Sequence, residues 1–161
     1  MIREAKFSDA RMIAEIYNYY VLNTVITFEL DPVIPQEIML RMEKYKQVGP
    51  YLVYEENGQV VGYTYVSNFR DRKAYEHSVE STIYLKHGFD GKGLGTKLYS
   101  ELLSRVASQR HTIIGGVALP NDASVRLHER CGFRKVAHFS EVGKKFGKWI
   151  DVGFWQKNGD A

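Results

Sequence analysis

The alternation of apolar and polar residues divides the chain into stretches of strand and of helix period. Residues 1–5 read as a short opening strand. Ser8 and Asp9 stand where a helix N-cap belongs, ahead of Met12, Ile13, Ile16, Tyr17 and Tyr20 at helical spacing. A less regular stretch through Phe28 leads to Pro35, which suits the first turn of a second helix because its missing N–H would be unpaired there anyway. Ile38, Met39, Met42 and Tyr45 form the apolar stripe of that helix, and Gly49-Pro50 stops it. Residues 51–55 and 59–67 are strand-like and joined by Asn57-Gly58, a type I′ hairpin signal since both residues tolerate positive φ.

The middle of the chain predicts a parallel strand pair. Residues 78–85 are rich in β-branched and aromatic side chains and read as a strand. They run into a glycine-dense turn, residues 88–95, and then into Leu94, Leu98, Leu102 and Val106 at i+4 spacing, the stripe of a helix. Residues 112–118 are a short apolar run of buried-strand character. Strand, glycine loop, helix and strand in this order imply a right-handed parallel crossover. A short helix over 122–131 ends at Gly132, and residues 133–139 and 148–156 are the last strands. The second of these alternates Ile150, Val152 and Phe154 with Trp149, Asp151 and Trp155. The expectation is one α/β domain over residues 1–161, with a mixed sheet flanked by helices and no internal repeat or linker.

Composition narrows the partners. The 161 residues are 44% hydrophobic and 25% charged, a globular balance, with 11 tyrosines whose hydroxyls need polar partners or a cleft to face. A net charge of +3 without any basic run suits an anionic small molecule and is thin for a nucleic-acid binder. The single Cys131 excludes an intramolecular disulfide, and no apolar stretch approaches the length of a membrane span. A cytoplasmic protein with no nucleic-acid or membrane partner is the expectation.

Four features could carry chemistry. Asp90-Gly91-Lys92-Gly93-Leu94-Gly95-Thr96 opens a helix directly after a strand, where unpaired backbone N–H groups cradle phosphates and glycine allows close approach. A glycine loop alone fits a structural tight turn equally well; its position between strand and helix favours anion binding. Glu80 shares a strand face with Ser78, Thr82 and Tyr84, so it lies on a solvated face or in a cleft. His128 lies one helical turn after Ser124, and a lone helical His is more often a surface or satisfied core residue than a catalyst. Arg70, Arg72 and Lys73 precede Tyr75 in a small basic cluster that is either solvated charge or a carboxylate clamp. His77, His87, His111, His128 and His138 show no metal-ligand spacing with one another or with Cys131, so no metal is expected.

Taken in order, the motifs resemble a known family. The glycine loop, helix, apolar strand and the run from Asn121-Asp122-Ala123-Ser124 through His128-Glu129-Arg130-Cys131-Gly132-Phe133 resemble the cofactor half of the GNAT acetyltransferase superfamily. The narrower resemblance is to phosphinothricin acetyltransferases. It rests on Ile16-Tyr17-Asn18, Thr27-Phe28, Arg70-Asp71-Arg72-Lys73-Ala74-Tyr75, Val79-Glu80-Ser81-Thr82-Ile83-Tyr84, Leu119-Pro120-Asn121-Asp122, and the closing Gly143-Lys144-Lys145-Phe146-Gly147-Lys148-Trp149 with Asp151-Val152-Gly153-Phe154-Trp155-Gln156. It spans residues 2–156.

The resemblance implies a GNAT-like, mostly antiparallel twisted sheet with a central parallel β-α-β unit that binds acetyl-CoA. Gly91, Lys92, Gly93, Leu94, Gly95 and Thr96 would hold the CoA pyrophosphate, with Asp90 where the superfamily motif usually begins with Gln or Arg. Ile83, Tyr84 and Leu85 would pair with the pantetheine arm, and Asn121 and Ser124 would contact the cofactor. Glu80 matches the catalytic carboxylate that takes the amine proton. His128 stands where many GNAT enzymes carry a Tyr near the thioester sulfur, as acid or as a partner in the base role. Arg70, Arg72, Tyr75 and Phe28 match substrate-binding positions, which implies a small acidic amino-acid analogue such as phosphinothricin, methionine sulfoximine or methionine sulfone. Members of the family are often homodimers. A peptide or protein acetyltransferase and a non-catalytic acyl-CoA-binding module remain the alternatives.

Overall fold

The computed structural model describes residues 1–160. The chain runs β1 (Ile2–Glu4), α1 (Ala10–Asn23), α2 (Pro35–Lys46), β2 (Tyr51–Glu56), β3 (Gln59–Asn68), β4 (Ser78–Leu85), α3 (Leu94–Ala107), β5 (Thr112–Leu119), α4 (Asp122–Arg130), β6 (Arg134–Lys145) and β7 (Lys148–Asn158). All seven strands form one sheet in the order β1-β2-β3-β4-β5-β7-β6. Only the β4–β5 pair is parallel, joined by α3 as the glycine loop and leucine stripe predict.

The sheet is covered on both faces, which is why Tyr51, Leu52 and Val53 are all buried in succession. On one face α1 and α2 pack Ile13, Ile16, Tyr17, Val21, Ile38 and Met42 against Tyr51, Val53 and Tyr63. On the other, α3 buries Leu98, Leu102 and Val106 against Leu52, Val66, Val79, Ile113 and Trp155. Each fully buried leucine contributes about 1.5–3 kcal/mol over an exposed one. Trp149 and Trp155 belong to the same alternating set on β7, yet Trp155 is buried while Trp149 is 62% exposed.

Two local readings change. Asp9 does occupy the N-cap position of α1, yet its side chain makes no capping bond. Its carboxylate accepts from both terminal guanidinium nitrogens of Arg3 at 2.9 Å and from the Lys6 N–H at 2.8 Å, stapling β1 to the helix start. The sixth strand does not stop at residue 139 but continues to Lys145. An irregularity between Phe139 and Gly143, with Glu141 at φ 53°, breaks the alternation that marks a strand in sequence. Asp151 holds this bulge by accepting the Glu141 N–H and bonding His138 Nε2, each at 2.8 Å. Phe146 and Gly147 then close the β6–β7 hairpin at φ 52° and 74°, like Asn57 and Gly58 in the β2–β3 hairpin.

The feature that makes a site is a parting of strands. β4 and β5 pair only at Ser78–Thr112, Val79–Ile113 and Glu80–Ile114. Beyond that point β4 continues beside β3 to Leu85, and β5 continues beside β7 to Leu119. The sheet therefore opens into a V between its two halves, and the backbone of each diverging strand borders the gap.

Candidate active site

A cavity of about 280 Å³ fills that V. Residues 80–84 of β4, Gly116, Val117 and Ala118 of β5, Val152 and Phe154 of β7, and Ile26, Thr27 and Phe28 of the α1–α2 connection line it, with Asn121, Ser124 and His128 from the start and end of α4. Of the residues marked in the sequence, Phe28, Glu80, Ile83, Tyr84, Asn121, Ser124 and His128 thus meet around one space.

Glu80 is at the last paired position of the parallel strands, so its carboxylate points from the crotch of the V. Burial pushes its pKa above the usual carboxylate value, since little water is left to solvate the charge. A Cβ on Gly116 would lie 3.5 Å from Glu80 Oε1 and 3.2 Å from the Phe154 ring. Glycine here keeps the space beside the carboxylate open.

His128 is 4% exposed and enclosed by the rings of Tyr99, Phe133 and Trp155. Its Nδ1–H donates to the Ser124 carbonyl at 2.7 Å. A carbonyl can only accept, so the proton sits on Nδ1 and Nε2 carries the lone pair. Burial pushes the imidazole pKa down and so favours the neutral ring, although the bond to the Ser124 carbonyl acts in the opposite direction. Nε2 faces the backbone of β5 at Gly115, where a Cβ would come within 2.4 Å. Gly115 and Gly116 thus serve opposite faces of one strand, each leaving room for one candidate group. The signal in the sequence was two adjacent glycines inside the apolar run Ile113-Ile114-Gly115-Gly116-Val117, a place where glycine weakens a strand and marks close approach.

The glycine loop follows from the end of β4. Gly88, Gly91 and Gly93 all have positive φ, and Gly93 at 77° is the N-cap of α3 with no side chain capping it. The first intrahelical bond is from the Lys97 N–H to the Gly93 carbonyl, so the N–H groups of Leu94, Gly95 and Thr96 point out of the helix end. Lys86 and Lys92 flank the Phe89 ring beside Asp90, at 5.8 and 4.8 Å, and bring positive charge to the loop. Arg130 donates to Thr96 Oγ1 at 3.1 Å. This end of α3 and the β4 edge at Ile83, Tyr84 and Leu85, where the Leu85 carbonyl already accepts the Tyr20 hydroxyl, fit a long anionic ligand with an extended polar arm. Asn121 caps α4 by accepting the Ser124 N–H at 3.2 Å, which leaves its amide N–H₂ for the cavity.

Arg70, Arg72 and Tyr75 do not border this cavity. They line a separate depression of about 410 Å³ with Asp71, where Arg70 stacks between Phe69 and Tyr75 at 5.0 and 5.6 Å. Register explains the offset. Ser67 pairs with Glu80 and Asn68 with Val79, so the connection 69–77 projects beyond the sheet at the end where Glu80 sits. No group of three or more His, Cys, Asp or Glu residues that could hold a metal occurs among the described residues, and none of their helices is long and apolar enough to cross a membrane.

Comparison with known proteins agrees with this geometry. Residues 2–153 match the acetyltransferase (GNAT) domain model. The chain is 37% identical to a phosphinothricin N-acetyltransferase of Streptomyces coelicolor over 97% of its own length and 94% of that protein's. It is also 37% identical to an L-methionine sulfoximine/L-methionine sulfone acetyltransferase of Salmonella typhimurium, covering 96% and 92% of the two chains. The crystal structure of a phosphinothricin acetyltransferase from Sinorhizobium meliloti in complex with acetyl-CoA superposes with a TM-score of 0.95 at 37% identity, over 99% of this chain and 88% of that one. A sheet parted at one parallel pair, a glycine-opened helix beside the gap and a full-length match to the family model together make this chain a member of the GNAT acetyltransferase family.

Proposed function

We propose that the protein transfers an acetyl group from acetyl-CoA to the amino group of a small acidic amino-acid analogue of the phosphinothricin or methionine sulfoximine type. The observation that carries this reading is the half-enclosed carboxylate of Glu80 at the crotch of the V, in reach of both diverging strands. The N–H groups of Leu94, Gly95 and Thr96 would hold the cofactor's pyrophosphate, and the free edge of β4 at 83–85 its pantetheine arm. Acetyl-CoA supplies an activated thioester. An amine attacks only after losing a proton, and Glu80 as carboxylate takes that proton, directly or through one water. The N–C bond forms as the C–S bond breaks, and the leaving thiolate takes up the second proton that the attacking nitrogen sheds. His128, neutral with its lone pair on Nε2, fits a proton acceptor or water-orienting role better than that of a standing acid, because an acid would need the charge that burial opposes.

Arg70, Arg72 and Tyr75 offer a bidentate clamp for the acceptor's acidic group at the end of the sheet that carries Glu80. The active form is a homodimer in this reading. Phe139, Val142, Phe146 and Trp149 of the β6–β7 hairpin are each more than half exposed, a patch suited to a second copy. Sedimentation should give twice the mass of one chain; a monomer at micromolar concentration contradicts this part.

The substrate class is tested by acetyl-CoA-dependent thiol release with L-phosphinothricin, L-methionine sulfoximine, L-methionine sulfone, free amino acids and an N-terminal peptide. Turnover on the acidic analogues and not on the peptide is expected. Turnover on the peptide alone would move the reading to a protein acetyltransferase, and silence with acetyl-CoA still bound to a binding module. With the active acceptor, kcat/KM should climb with pH as Glu80 loses its proton. Burial has raised that pKa, so the acid limb should lie above the ordinary carboxylate value of 4.5. An acid limb at or below 4.5 would contradict a buried base.

A further inference from the structure

We propose that Lys145, at the far end of the β6–β7 hairpin and outside the cavity, is a positioning residue that sets the acceptor-side wall and with it acceptor selectivity. The inference rests on the cavity being the acceptor site. Lysine is rarely buried without a partner, yet Lys145 is 2% exposed. Its ammonium donates to the backbone carbonyl of Thr27 at 2.8 Å, across 118 residues of sequence. Thr27 and its neighbours Ile26 and Phe28 form, together with Asn121, the part of the cavity wall that belongs to no helix or strand.

The other ties of this wall run through side chains, including Tyr84 bonding to Thr27. Thr27 Oγ1 bonds the Tyr17 hydroxyl at 2.8 Å and accepts the Glu29 N–H at 3.3 Å. Tyr17 also donates to Glu29 Oε1 at 2.9 Å, and Arg41 pairs with the same carboxylate. Glu29 lies near enough to Lys145 to oppose the downward push of burial on the lysine pKa. The hairpin makes a second contact two residues earlier. Phe28 lies so close to Gly143 that a Cβ there would come within 2.4 Å of the ring. Lys145 therefore holds the backbone of the wall while Gly143 seats its aromatic face. Neither residue lines the cavity. The bulge at 139–143 fixes which residues of β6 reach the wall.

Lys145→Met keeps an unbranched apolar stem and removes the donor, leaving the Thr27 carbonyl unpaired in a buried place. Gly143→Ala disturbs the same wall through Phe28 without touching the charge. Two readouts are needed on the full chain. Hydrogen exchange of the free protein reads the wall directly at the Ile26 and Glu29 amides, which bond Thr24 Oγ1 and Thr27 Oγ1. Steady-state kinetics with the acceptor found active reads selectivity. For Lys145→Met we expect faster exchange confined to residues 24–30, about a tenfold rise in acceptor KM, and kcat and acetyl-CoA affinity nearly unchanged. For Gly143→Ala the ratio of kcat/KM between two acceptors of different bulk should shift. Unchanged exchange at 24–30 overturns the proposal, as does faster exchange with KM and selectivity unaltered. Exchange that rises evenly over the whole chain, with apparent kcat falling and KM unchanged, assigns Lys145 to general stability and overturns it too. If the wild-type chain acetylates no acceptor in the panel, the reading of the substrate fails separately, and the exchange result still decides whether the tether exists.

Discussion

Glu80→Gln is expected to lower kcat by roughly 10²–10⁴-fold, the range for removing a general base, while acetyl-CoA binding stays intact. The amide has the same shape and cannot take a proton, so the cavity is preserved and only the chemistry is lost. Stability should move the other way. Burial raises the Glu80 pKa in the fold above its unfolded value, so the folded chain holds that proton more tightly than the unfolded one. The stability this provides is full below an unfolded pKa near 4.5 and is lost as pH rises through the folded value. At neutral pH the ionised carboxylate is therefore a net cost, and Glu80→Gln should melt at or above the wild-type temperature. A variant that loses activity together with several degrees of melting temperature would show Glu80 to be a structural group.

Gly115→Ala is expected to have the second-largest effect, from the opposite face of β5. A Cβ there would sit 2.4 Å from His128 Nε2, inside any real contact distance. His128 has no easy retreat, because Tyr99, Phe133 and Trp155 enclose it and Ser124 holds Nδ1. Overpacking of this kind costs about 1–3 kcal/mol, which for a chain of this size lowers the melting temperature by about 2–4 °C per kcal/mol. Turnover should fall as well, since relief of the clash requires the imidazole to leave its place. Gly115→Ala combined with His128→Ala should recover much of the lost stability and none of the turnover. Failure of the double variant to recover stability would show that the clash lies elsewhere.

The two glycines also show what the sequence could and could not convey. Periodicity carried the helices and most strands, because Leu94, Leu98, Leu102 and Val106 must share a face to be buried. The parallel unit followed from its order of elements, and Glu80 and His128 from the resemblance. What stayed out of reach was produced by register and packing. Nothing in the residues 78–85 and 112–118 tells that their pairing ends at Glu80 and Ile114, yet that parting is the cavity. The bulge at 139–143 hid the second half of β6, and with it the reach of Lys145 to Thr27. Nor does the sequence tell that Arg70, Arg72 and Tyr75 line a depression of their own beyond the end of the sheet, apart from the cavity that Phe28 lines.

Glu80 as the base is tested most directly by kcat/KM against pH for wild type and Glu80→Gln with the same acceptor. The wild-type profile should rise from the acid side with a limb above 4.5, and the variant should lose that limb along with its rate. An unchanged acid limb in Glu80→Gln, or a rate within a few fold of wild type, would contradict the assignment and place the base on another group of the cavity.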